Sequence, residues 1–113
     1  MAVDKSLISG STTLLILSLL EEKDMYGYEM IDTLLGKSNN VFELKAGTLY
    51  PLLHSMEEKG WLTVYEQEAG GKMRKYYRIT RDGKKQYQAK KKEWKEYSEA
   101  ILQVIGGVCF GTA

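Results

Sequence analysis

The side chains best suited to chemical work lie between Ala46 and Thr80. In AGTLYPLLHSMEEKG, Leu49, Leu52, Leu53 and Met56 recur at three- and four-residue spacing. A helix over this run buries them and turns Gly47, Tyr50, Pro51 and His54 the other way. An aromatic run (WLTVYEQ), the pair Gly70-Gly71 and the run KMRKYYRIT follow. They predict a hairpin whose second strand carries Lys72, Arg74, Lys75 and Arg78, with Gly70-Gly71 supplying the positive φ of a tight turn. Cations on such a ribbon can neutralise phosphate, and a helix tip with small residues can approach a backbone closely. A helix and a basic ribbon side by side form the layout of a winged helix-turn-helix.

Other chemistries find little support. His54 is the only histidine and Cys109 the only cysteine, far apart in sequence, so no convergent metal-ligand set exists. A nucleophile would need a base within reach, and nothing around His54 resembles the orienting partner of a triad. Gly70-Gly71 is followed by a strand, not by the helix start that a phosphate cradle requires. The expectation is a non-enzyme with no cofactor and no metal. For His54 three roles stay open: a phosphate contact, a weak donor to a base edge, or none.

The 113 residues suit one domain, with 43% hydrophobic and 27% charged residues, ordinary for a globular chain. The net charge of +1 hides a division. Residues 1–68 hold five basic and eleven acidic side chains, residues 69–95 eleven basic and two acidic, and the remainder only Glu96 and Glu99. Exposed charges act over about 8–10 Å before salt screens them, so local balance decides whether a polyanion binds. A lone cysteine suits a reducing cytoplasm. The apolar stretch Leu14–Leu20 is interrupted by Ser18, too short for a membrane span, and followed at once by charges, which argues against a signal peptide.

The elements that must position these groups are legible as patterns. A helix over about Leu7–Glu22 is apolar nearly all round and needs cover on several sides. A second, about Tyr26–Leu35, buries Met30, Ile31, Leu34 and Leu35 and ends at Gly36 and Ser38-Asn39-Asn40. Val41–Leu44 reads as a strand stub. The third helix starts near Lys45 or Ala46, carries the only proline, Pro51, in its early turns, and closes at Gly60. On the hairpin's second strand, Arg74, Tyr76 and Arg78 share one face, and Lys75, Tyr77 and Ile79 the other, with Tyr77 assigned to the core. Thr80 is placed as the N-cap of a last helix over about Arg81–Ile105, with Asp82 in its first turn. Along it Tyr87, Trp94, Ile101 and Val108 are seven apart, and Lys90, Tyr97 and Val104 fill companion positions. This heptad seam with aromatics predicts dimerisation, with a packing face within the chain as the alternative.

The runs GTLYPLLHSMEEKGWL and RKYYRIT followed by Asp82-Gly83, with the earlier Tyr26-Gly27-Tyr28-Glu29, resemble the PadR family of bacterial transcriptional regulators, over about residues 11–105. The single short C-terminal helix is similar to the family's compact subfamily. The resemblance implies a homodimeric winged-helix repressor that binds an inverted-repeat operator. It implies DNA contacts from Thr48, Tyr50 and Pro51 on the third helix and from Lys72, Arg74 and Lys75 on the wing; Lys45, Gly47 and His54 beside them complete the expected DNA-binding set. In a drug-sensing subgroup, a tryptophan of the last helix lines a flat pore at the dimer centre, where planar aromatic ligands stack. Trp94 matches that tryptophan, and Leu14, Ser18, Tyr87 and Ser98 would line the same space. Ser98 stands where that subgroup has an acidic residue, and Tyr87 could fill part of the pore. Trp94 packing only on its symmetry mate is the alternative.

The resulting expectation is a mainly α fold with a small β-hairpin. Residues 1–80 would form the winged helix-turn-helix DNA-binding domain, 81–105 a dimerisation helix, and 106–113 a tail. Its partners would be double-stranded DNA, a second copy and a planar aromatic effector, in the cytoplasm and without a membrane. Two other readings stand beside it: a winged-helix module that binds protein and not DNA, and a DNA-binding repressor without a ligand pocket.

Overall fold

The structure is a computed structural model that describes residues 5–106, with side chains from Ser11 onward. In order it forms α1 (Lys5–Glu22), β1 (Met25–Tyr26), α2 (Gly27–Lys37), α3 (Ala46–Glu58), β2 (Leu62–Ala69), β3 (Lys72–Ile79) and α4 (Arg81–Val104). The three strands make one antiparallel sheet in the order β1-β3-β2. This is a winged helix-turn-helix with an added C-terminal helix.

The core explains why α1 is apolar nearly all round. Ile16, Leu17, Leu19 and Leu20 are buried against Met30 and Leu34 of α2, Leu49, Leu53 and Met56 of α3, and Leu62, Tyr77 and Ile79 of the sheet. The burial of Tyr77 agrees with the alternation along β3, and desolvation raises the pKa of its phenol. Ile31, Leu35 and Leu52, all assigned to the core, are half-buried.

One expected strand is elsewhere. Val41–Leu44 is irregular, and the edge of β3 is taken instead by Met25–Tyr26, with Met25 opposite Tyr77 and Tyr26 opposite Tyr76. The α2–α3 connection is organised by local bonds. Asn39 and Asn40 adopt positive φ, as asparagine tolerates, and the Ser38 hydroxyl donates to the Leu34 carbonyl while accepting from the Phe42 N–H. That turn points Leu44 into the core, where it is 5% exposed.

The wing turn is as expected. Gly70 and Gly71 have φ of 60° and 79°, and Ala69 pairs with Lys72 across them. Thr80 caps α4, its hydroxyl accepting from Gly83 N–H at 3.0 Å and donating to the Gly60 carbonyl. Gly83 lies so close to the Trp61 carbonyl that a Cβ would overlap it and sit 2.7 Å from Ile79 Cγ1. The absence of that side chain lets the first turn of α4 seat on the hairpin. Farther on, Tyr87 packs on the core and its hydroxyl bonds to Ser18 of α1 at 3.4 Å. Beyond it Trp94, Tyr97, Ile101 and Val104 are exposed. Val108 and Cys109 lie outside the described residues, as does the tail after Gly106.

Candidate nucleic-acid interface

The tip of α3 is built without a side-chain cap. Lys45 occupies the N-cap position with extended backbone, and its carbonyl accepts from Thr48 and Leu49 N–H at 3.0 and 2.9 Å. The N–H groups of Ala46 and Gly47 therefore have no side-chain cap at the positive end of the helix dipole, an arrangement suited to an anion. Lys45, Gly47, Thr48, Pro51 and His54 are all exposed there. A Cβ on Gly47 would meet nothing within 4 Å. No internal contact demands glycine at that position, whereas close approach by an outside surface would. Pro51 cannot donate to the Gly47 carbonyl, and because both residues are exposed that acceptor is left to solvent.

Tyr50 departs from the fully outward face drawn from the helical spacing. It is half-buried, and its phenol fills the space above Gly27, where a Cβ would overlap the hydroxyl and lie 2.7 Å from Cζ. Burial raises its pKa, the neighbouring Tyr28 raises it further, and Arg74 opposes both. The α3 tip and the start of α2 therefore meet at this phenol, with Arg74 of the wing within electrostatic reach.

The wing cations fall into two pairs. Lys72 and Lys75 are exposed and make no ion pair among the described residues. Arg74 and Arg78 belong to a layered outer face of the sheet. Arg74 lies 4.5 Å over the Tyr26 ring and its Nε donates to the Ala69 carbonyl. Tyr76 stacks on Tyr65 at 5.6 Å and meets Tyr26 edge-on at 5.5 Å. Arg78 Nε donates to Asp24 at 3.0 Å, and the Tyr65 hydroxyl donates to the same carboxylate at 2.8 Å. The bond to Asp24 raises the pKa of both donors. Asp24 and Tyr65 were not singled out from sequence, and Gly27 was read only as part of the Tyr26–Glu29 motif. The alternation that puts Arg74, Tyr76 and Arg78 on one face was a signal for this layer, but not for its partners.

Of the second set, Ser18 and Tyr87 are joined within the chain, and Leu14 is half-buried one turn before Ser18. Trp94 and Ser98 lie farther along α4 in a shallow groove beside Lys91, Lys92 and Lys95. Trp94 is 44% exposed, its ring 5.9 Å from that of Tyr97. That groove does not reach Leu14, Ser18 or Tyr87.

Comparison with known proteins agrees with this architecture. The model of the transcriptional regulator PadR-like family matches residues 16–89. An uncharacterised protein of Lysinibacillus sphaericus is 41% identical over 108 residues, 94% of this chain and 98% of that protein. The transcriptional regulator YqjI of Escherichia coli is 29% identical over 104 residues, and the chain spans only 47% of its length. Among solved structures, a transcriptional regulator from Clostridium thermocellum superposes with a TM-score of 0.81 at 37% identity, covering 87% of this chain and 96% of that one. A PadR family regulator from Clostridium difficile gives 0.72 at 36% identity, covering 84% and 98%. With the family model running from within α1 to the first turns of α4, and structural relatives alike over more than four-fifths of the chain, the chain belongs to the PadR-like family of transcriptional regulators.

Proposed function

We propose that two copies of this chain bind an inverted-repeat operator and repress transcription, in the cytoplasm, until a small molecule at the dimer centre releases them. The observation that carries the reading is the α3 tip: uncapped, exposed, and with a glycine that no internal contact requires, in a fold whose wing carries the exposed cations Lys72 and Lys75. Lys45, Gly47, Thr48, Tyr50, Pro51 and His54 would enter the major groove or touch its flanking phosphates, and Lys72, Arg74 and Lys75 would lie along the backbone. Residues 1–80 would act as the DNA-binding unit and α4 as the dimerisation helix. Two-fold symmetry would set the two α3 helices about 34 Å apart, in successive major grooves. No helix among the described residues is long and apolar enough to cross a membrane.

A gel shift with duplex from the chain's own upstream region, against random duplex of equal length, tests this. A complex retained at physiological salt on the first and absent on the second supports operator binding. Equal retention of both would mean DNA binding without an operator, and no complex on either leaves a protein-binding winged helix as the better account.

The Tyr87–Ser18 contact favours a second reading, DNA binding without an effector, because it occupies part of the space a ligand would use. Titration of planar aromatic dyes against Trp94 fluorescence, in a Trp61→Phe background, separates the two. Saturable quenching that also dissociates the DNA complex supports release by an effector. No quenching leaves the aromatic seam as a dimer contact.

A further inference from the structure

The basic half of the chain is not mainly a basic wing. β2 and β3 carry Glu66 and Glu68 against Lys72, Arg74, Lys75 and Arg78, a balance of +2. Two of those cations are already engaged, Arg78 by Asp24 and Arg74 over Tyr26. Residues 81–95 of α4, by contrast, hold seven basic and two acidic side chains, a balance of +5 that Glu96 and Glu99 reduce to +3 over the whole helix.

Their distribution round α4 is uneven. At 3.6 residues per turn, Arg81, Lys84, Lys85, Lys91, Lys92 and Lys95 fall within about 120° of the circumference, in a row about 21 Å long. All six are exposed, and among the described residues none makes an ion pair. Asp82, Glu93 and Glu96 fall on one side of the row, Tyr87, Trp94, Tyr97 and Ile101 beyond them on the remaining arc, and Glu99 closes the row one turn past Lys95. The row is unfavourable for the helix itself. Arg81 and Lys85, like Lys91 and Lys95, are like charges four apart, and cations in the first turns oppose the helix dipole. The only stacking contact of the six is Lys91 over the Tyr87 ring at 5.6 Å.

We propose that this row is a second polyanion-binding surface, which contacts the phosphate backbone of duplex DNA apart from the sequence read by α3. The proposal rests on the DNA-binding reading above. Charge complementarity supports it: phosphates succeed one another every 3.4 Å or so along a strand, so the row is as long as about six spacings. DNA fits better than a membrane surface, because the apolar arc that would have to insert is the one the proposed dimer would bury.

The test is the full chain with Lys84, Lys85, Lys92 and Lys95 all changed to Gln, measured on random duplexes of 20 and 40 base pairs over a range of salt. Lys91 is retained because it lies over Tyr87. Removing one phosphate contact lowers the slope of log K against log salt by about 0.9. The expected result is a slope lower by about 2 or more and at least tenfold weaker binding near 0.1 M salt. The four-Lys→Arg variant should keep the wild-type slope, and sedimentation should give the same mass for all three proteins. A larger effect on the longer duplex places the row on flanking DNA, and an equal effect places it over the core site; both support the contact. An unchanged slope, with wild type still shifting duplex, overturns the α4 row alone. Wild type that ignores every duplex overturns the DNA reading with it. Binding to phosphatidylglycerol vesicles that the Gln changes abolish, with the DNA slope untouched, makes the row a membrane contact instead.

Discussion

Gly27 and Tyr50 show how a motif residue can serve the site without touching a partner. The phenol sits where a side chain on residue 27 would be, so Gly27→Ala must push Tyr50, and with it the α3 tip, away from α2. Overpacking of this kind typically costs about 1–3 kcal/mol, and urea unfolding should show a loss of that order. Adding Tyr50→Leu should return part of the loss, because the clash is removed; strictly additive losses would mean the two residues do not share the space. For Tyr50→Ala, binding is expected to fall more on the operator than on random DNA. A fall of equal size would make Tyr50 a residue that only positions the helix. The sequence showed Tyr26-Gly27-Tyr28 and Gly47–Pro51 as separate motifs, and helical spacing turned Tyr50 outward. Their contact was not legible, because period and propensity describe one element at a time and this contact joins two.

At the scale of elements, α1, α2, α3, the hairpin and α4 could all be read from apolar period, glycine punctuation and the Thr80 cap. β1 could not. A two-residue strand has no periodicity of its own, and it exists because Met25 buries its side chain while the backbone completes the edge of β3. The outer layer of the sheet follows from that pairing, since β1 brings Tyr26 beneath Arg74. Arg74→Ala is therefore expected to weaken binding to all sequences and flatten the salt slope by about 0.9 if its guanidinium also meets a phosphate. An unchanged slope would leave Arg74 with its Tyr26 contact only. The seat of α4 gives a prediction independent of DNA. Gly83→Ala drives a Cβ into the Trp61 carbonyl and Ile79, and backbone cannot swing aside as a side-chain end can. A loss of about 1–3 kcal/mol in urea unfolding is expected. A variant as stable as wild type would mean the first turn of α4 shifts freely on the hairpin.

The whole molecule is longer than its size requires. Its radius of gyration is 15.6 Å, against roughly 13 Å for a compact chain of about this length, and its longest extent is 51 Å. The excess is α4, which leaves the core after Tyr87 and carries Trp94, Tyr97, Ile101 and Val104 into solvent. Exposed aromatic and branched residues on a single arc make an incomplete surface, and a second copy with the same arc would complete it. The aromatic heptad seam was visible in sequence; how far it stands clear of the core was not, because that depends on where α1 stops covering α4. Ile101→Asp tests the seam at a residue with no role in the α3 tip or the wing. An unpaired charge in a buried contact costs about 3–5 kcal/mol, which is at least a hundredfold in dimer affinity. Sedimentation at micromolar concentration should then find protomers, and operator affinity should fall because one recognition helix no longer positions the other. The protomer should keep its unfolding midpoint for the winged core, since Ile101 lies well beyond Tyr87. A variant that remains dimeric and shifts operator as wild type does would place the interface elsewhere and leave the apolar arc of α4 for another partner.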